Sequence, residues 1–170
     1  MRRTLLLAGS TLLALATFAL EKAAEAADKA GRFSATLKIG PAINLDDTRT
    51  QFTLNPEIAV ALDRDYNAYL GINPQFQFAD NYTTINIPLT FQYDIELPVD
   101  GLYLYPKVSA GLSYILQLER AFFMLEPAFG VKYQAHKNFH VGLEPIAIPL
   151  YMGKIFAAQY HIFLCGGVDF

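Results

Sequence analysis

The stretch Gln159-Tyr160-His161-Ile162-Phe163-Leu164-Cys165-Gly166-Gly167-Val168-Asp169-Phe170 decides the fold. In an extended chain Tyr160, Ile162, Leu164, Gly166, Val168 and Phe170 share one face, and Gln159, His161, Phe163, Cys165, Gly167 and Asp169 share the other. A period of two with a bulky apolar set on one side is the signature of a half-buried strand. A terminal strand must be paired with something, and a barrel shut by its last segment supplies a partner on both edges.

Working back from this strand, turn signals recur at even spacing: Asp46-Asp47-Thr48, Asp63-Arg64-Asp65, Asp80-Asn81, Pro98 to Gly101, Gln117 to Arg120, His136-Lys137-Asn138 and Met152-Gly153-Lys154. They separate eight expected strands at about 32–45, 51–62, 66–79, 82–96, 102–116, 121–135, 139–151 and 155–170. Each is long enough to cross a bilayer when tilted, which takes roughly 9–11 residues. Parity supports them. In the fourth, Thr84, Asn86, Thr90, Gln92, Asp94 and Glu96 oppose Ile85, Ile87, Leu89, Phe91, Tyr93 and Ile95. The seventh is irregular, because Ile146, Ile148 and Leu150 fall on its polar face, and a bulge near Pro149 is expected.

The apolar face carries Leu, Ile, Phe, Tyr and Pro, while the other mixes small, polar and a few charged residues. A narrow barrel interior takes the second set and would be crowded by the first, so lipid outside is favoured over a soluble ligand-binding barrel. Aromatics near strand ends, among them Phe33, Tyr66, Phe78, Tyr82, Phe123, Tyr133 and Tyr151, fit interfacial girdles, although the chain has no Trp. Prolines stand inside the strands at Asn55-Pro56, Asn73-Pro74, Tyr105-Pro106, Glu126-Pro127 and Glu144-Pro145, with Pro41 and Pro88 as two more. Proline gives no ladder donor, so these predict a belt of irregular pairing in which the preceding Asn or Glu turns inward to compensate.

Arg2 and Arg3, the apolar run Thr4 to Leu20 and the Ala24-Glu25-Ala26 site predict a signal peptide over 1–26, a short segment 27–31 and one barrel domain over 32–170. The remaining chain carries ten basic and fourteen acidic side chains, net −4, which gives no reason to expect a nucleic-acid partner. Its single cysteine, Cys165, forms no internal disulfide and reads as a small buried hydrophobe.

These features resemble the small eight-stranded bacterial outer-membrane β-barrels, the broad group that includes the OmpA transmembrane domain, OmpX and OmpW. The resemblance spans roughly residues 30 to 170, and the Tyr160-to-Phe170 pattern resembles the signal read by the outer-membrane assembly machinery. It implies an up-and-down antiparallel barrel in the outer membrane, with lipid, lipopolysaccharide and that machinery as partners, and with both termini in the periplasm; a monomer is favoured over an oligomer, which the residues leave open. Turns near Asp47, Asn81, Glu119 and Gly153 would then face outward. All four are short, unlike the longer outward loops usual in the group, which argues against adhesion or receptor roles.

The expected lumen holds Lys38, Glu57, Asp94, Lys107, Glu126, Lys132 and Glu144. Charges there must pair, so the set reads as a structural plug, with a gated narrow path for ions or small solutes as the alternative. A lipid A-modifying enzyme needs a nucleophile, base and carboxylate together. His140 and His161 point inward, but no Ser or Asp lies at close alternate spacing to His140, and Ser109 and Ser113 sit on another strand. No metal or cofactor motif is present.

Overall fold

The computed structural model describes residues 32–46, 49–65, 67–79, 82–153 and 156–170. The expected signal peptide, the segment 27–31 and Tyr66 lie outside the described residues. Strand segments run β1 (Phe33–Asn44), β2 (Thr50–Ala61), β3 (Ala68–Ile72), β4 (Gln75–Phe78), β5 (Thr83–Tyr93), β6 (Ile95–Glu96), β7 (Leu102–Ile115), β8 (Arg120–His136), β9 (Phe139–Ala147), β10 (Leu150–Met152) and β11 (Ala157–Asp169). Asn73-Pro74 separates β3 from β4, Asp94 separates β5 from β6, and Ile148-Pro149 separates β9 from β10, so the segments make eight staves.

Every pairing is antiparallel, and the sheet closes. β1 pairs with β2 on one side and with β11 on the other, where Ser34 meets Asp169 and Ile39 meets Leu164. β7 and β8 pair from Leu102 with Tyr133 to Ile115 with Arg120, which completes the ring. The fold expected from alternation is the fold found.

Alternation also sets the two surfaces. Leu37, Phe52, Ile58, Leu89, Val108, Phe129, Leu143 and Leu164 stand exposed on the outer wall, while Lys38, Asn55, Gln75, Asn86, Glu126 and Glu144 are fully buried inside. A water-soluble barrel has the reverse arrangement, so the outer wall suits hydrocarbon.

The seventh stave departs from expectation in one respect. Its bulge lies at Glu144–Ile146, not near Pro149: the pairing of β9 shifts by one residue between Phe129 and Val131 of β8 and between His161 and Phe163 of β11. His140 and Glu144 are buried before it, Ala147 and Tyr151 after it, so inward parity changes from even to odd. One extra residue turns Ile146 to the outer wall and removes the apparent conflict. The Tyr160 hydroxyl donates to the Pro145 carbonyl at 2.5 Å, satisfying a backbone acceptor in the bulged segment.

Of the seven prolines expected inside strands, five follow a residue buried inside, Asn55, Asn73, Tyr105, Glu126 and Glu144, whereas Pro88 follows Ile87 on the outer wall. The expected compensation is absent at the two asparagines, whose side-chain amides have no hydrogen-bond partner in the protein. Their inward turn follows from strand parity alone.

At the closing seam a Cβ on Gly40 would lie 1.8 Å from the Ile162 carbonyl oxygen, so the backbones approach too closely there for any side chain. Gly40→Ala is expected to reduce the fraction of refolded protein showing the heat-dependent gel shift of a closed barrel. Tyr160→Phe should leave closure intact and lower stability by about 1–3 kcal/mol in denaturant titration, the cost of withdrawing a donor from a carbonyl shielded from water.

Candidate functional site

The lumen is filled by polar side chains arranged in layers along the barrel axis. At the end carrying Arg32 and Phe170, Asp169 Oδ2 accepts from Arg32 at 3.2 Å, from Gln134 Nε2 at 3.0 Å and from His140 Nδ1 at 3.3 Å. The other imidazole nitrogen of His140, Nε2, lies 3.0 Å from Thr36 Oγ1. With the proton on Nδ1, the ring donates to the carboxylate and accepts from the hydroxyl.

Next, Lys132 pairs with Asp94, whose other oxygen accepts from Gln92 Nε2 at 2.7 Å. The ammonium also stands over the rings of Tyr69 and Tyr103, 5.3 and 5.5 Å from their centroids. Deeper in, Lys38 Nζ lies 2.6 Å from Glu57 and 3.2 Å from Glu144, and Lys107 Nζ lies 2.6 Å from Glu144 and 3.9 Å from Glu57. Two cations and two carboxylates thus form a neutral four-membered cluster. Tyr105 donates to Glu144 at 3.3 Å, and its ring occupies the space where a Cβ on its cross-strand partner Gly130 would sit 2.2 Å away. A glycine facing an aromatic across the ladder makes room for the phenol inside a narrow bore.

Beyond this cluster Glu126 accepts from Gln75 Nε2 at 3.0 and 2.9 Å, and His161 Nδ1 lies 3.7 Å from it. Thr90 and Ser109 hydroxyls meet at 2.8 Å. The last layer centres on Tyr151, whose hydroxyl accepts from Gln77 and donates to Gln159 at 2.9 and 3.0 Å.

All seven expected lumen charges are therefore inside, but they divide. Lys38, Glu57, Lys107 and Glu144 come together, Lys132 and Asp94 form a separate pair, and Glu126 meets an amide and an imidazole. Cys165 is inward and buried, 3.8 Å from the Tyr105 hydroxyl. Sequence reasoning left His140 without partners, and this is corrected: Thr36 and Asp169 bracket it from β1 and β11. Their inward parity was readable, but cross-strand register was needed to align them. The set has the order of a hydroxyl-imidazole-carboxylate relay. However, Asp169 also holds Arg32 and Gln134, and the cavity beside Thr36 and His140 is about 20 Å³, room for one water and no acyl chain. The relay ties three strands at the seam.

Lys107→Met should destabilise the barrel by about 3–5 kcal/mol in micellar unfolding titrations, because it leaves a surplus buried carboxylate. Adding Glu144→Gln should recover much of that loss, a coupling that a double-mutant cycle reads directly.

No family model matches the sequence, and no curated protein is significantly similar to it. Solved structures are similar in fold. The N-terminal β-barrel domain of Pseudomonas aeruginosa OprF has a TM-score of 0.55 at 14% identity, over 81% of this chain and 97% of that one. Neisserial surface protein A has 0.57 at 13% identity, over 81% and 94%. The outer-membrane enzyme PagL has 0.53 at 9% identity, over 78% and 97%. An enzyme shares the architecture with the other two barrels, so the fold by itself does not decide activity. The chain has the closed eight-stranded antiparallel barrel fold of small bacterial outer-membrane proteins.

Proposed function

We propose that the protein is an integral barrel of the bacterial outer membrane with a structural role, its lumen plugged by side chains and conducting little or nothing. The observation that carries this reading is the stack of buried ion pairs across the bore, inside a wall whose outer face is apolar. An ion in transit would have to break the neutral four-charge cluster, whose members are all buried and costly to leave unpaired. In this reading the Arg32 and Phe170 end faces the periplasm. Its partners are membrane lipid, lipopolysaccharide and the assembly machinery that reads Tyr160, Ile162, Leu164, Gly166, Val168 and Phe170, and the protein is a monomer. No cofactor and no catalysis enter the reading, and unchanged acyl chains of lipid A after incubation, seen by mass spectrometry, are the matching result.

A narrow pore is the second reading, and one observation favours it. Glu144 Oε2 lies within 3.2 Å of both ammonium groups, and Glu57 Oε2 reaches the same two at 2.6 and 3.9 Å, so the cations can exchange carboxylates over short distances. Exchangeable pairs are what a latch requires.

Fractionation and planar-bilayer recording test both. Recovery in the outer-membrane pellet with a heat-dependent gel shift is expected, and recovery in detergent-free solution would sink the membrane reading. The closed-lumen form predicts flat current traces for the native protein and for Glu126→Gln. Discrete openings that change with Glu126→Gln would favour the pore.

A further inference from the structure

At the end of the barrel away from Arg32 and Phe170, the layered packing stops and a cavity of about 430 Å³ begins. That volume falls within the range of small-ligand sites, about 300–1,000 Å³. All four hairpin ends there contribute to it: Asn44 and Gln51 from the first, Gln77 and Tyr82 from the second, Leu118 and Phe122 from the third, Tyr151 and Ala158 from the fourth.

Its chemistry is specific. The base is a web of carboxamides and phenols: Gln51 Nε2 donates to Tyr82 at 2.9 Å and to Asn44 at 3.3 Å, and Gln159 Nε2 donates to Asn44 at 2.7 Å. The web is not saturated, since Gln51 Oε1, Gln77 Oε1 and Ser113 Oγ, all on side chains lining the cavity and nine-tenths or more buried, have no hydrogen-bond partner in the protein. Two of these are carbonyl oxygens that need a donor. Phe122, Ile115 and Leu118 give the same cavity an apolar side. Among the described residues the lining carries one carboxylate and one guanidinium, Asp46 and Arg49.

We infer that this vestibule is a binding site for a neutral, hydroxyl-rich ligand of one or two sugar rings. Such a ligand brings hydroxyl donors to the carboxamide oxygens, which a turn of the Gln51 and Gln77 side chains presents to it, and C–H faces to the aromatic and aliphatic side. A purely apolar solute would leave the glutamine oxygens and the serine hydroxyl unbonded, and an anion would meet acceptors and Asp46 together with the one arginine. The inference uses the barrel and its cavity only and does not depend on whether the lumen conducts.

The test is a titration of the full barrel, refolded in a micelle without sugar headgroups, followed by NMR of side-chain amides. The probes are glucose, maltose, lipid-free core oligosaccharide from lipopolysaccharide, glucuronate and benzene. Saturable shifts of the Gln51 and Gln77 amides with a neutral sugar are expected, weakened at least fivefold by Gln51→Leu and by Ser113→Ala. Glucose or maltose as the tighter ligand identifies a free sugar, and the core oligosaccharide as the tighter ligand identifies a lipid-borne one. The variants are checked for folding by the heat-dependent gel shift, with Ser113→Ala as the milder change. The inference is overturned by no saturable shift with any neutral sugar up to 100-fold above millimolar protein, by glucuronate or benzene binding more tightly than all of them, or by shifts that neither variant alters.

Discussion

The pairing of β1 with β11 closes the eight staves into a ring, and the rest of the molecule depends on it. In hydrocarbon an unpaired amide or carbonyl has no water to fall back on, so a sheet can stand there only when it closes. Closure at eight staves then sets a bore too narrow to stay empty and too enclosed for unmatched charge. The apolar outer wall, the layered interior and the close backbone contact at Gly40 follow from that one requirement.

Inside the bore, hydrogen bonding and charge matching do the work that apolar packing does in a soluble core. The four-charge cluster, the Lys132 and Asp94 pair and the carboxylate of Glu126 held by Gln75 alternate with hydroxyl and amide contacts down the axis. The match is incomplete at Asn55 and Asn73, whose side chains are enclosed without protein partners. A native interior usually satisfies such groups, and Asn55 stands directly across the ladder from Lys38 of the ion cluster.

Much of this was legible in the residues. Strand number, turn positions, inward and outward faces and the seven lumen charges follow from a period of two. The exceptions share a cause, since alternation records which wall a side chain belongs to and not its height or its neighbour. The bulge at Glu144–Ile146 was visible as a broken pattern but was expected four residues late, because the phase change shows in sequence only after several residues have accumulated on the wrong face. His140 lacked partners on paper because Thr36 and Asp169 are 104 and 29 positions away. The vestibule was not legible at all, because it is lined by residues from four hairpins far apart in sequence.

The membership of the four-charge cluster bears on the order in which the barrel can come together. Lys38 and Glu57 lie on the first hairpin, 19 residues apart, whereas Lys107 and Glu144 lie in the second half, 37 apart. Each half therefore brings its own counter-ion, and the two pairs are neutral before they meet. Within the cluster neither half depends on the other for its charge balance, whereas Lys132 and Asp94, which lie on opposite halves, find each other only when the halves join.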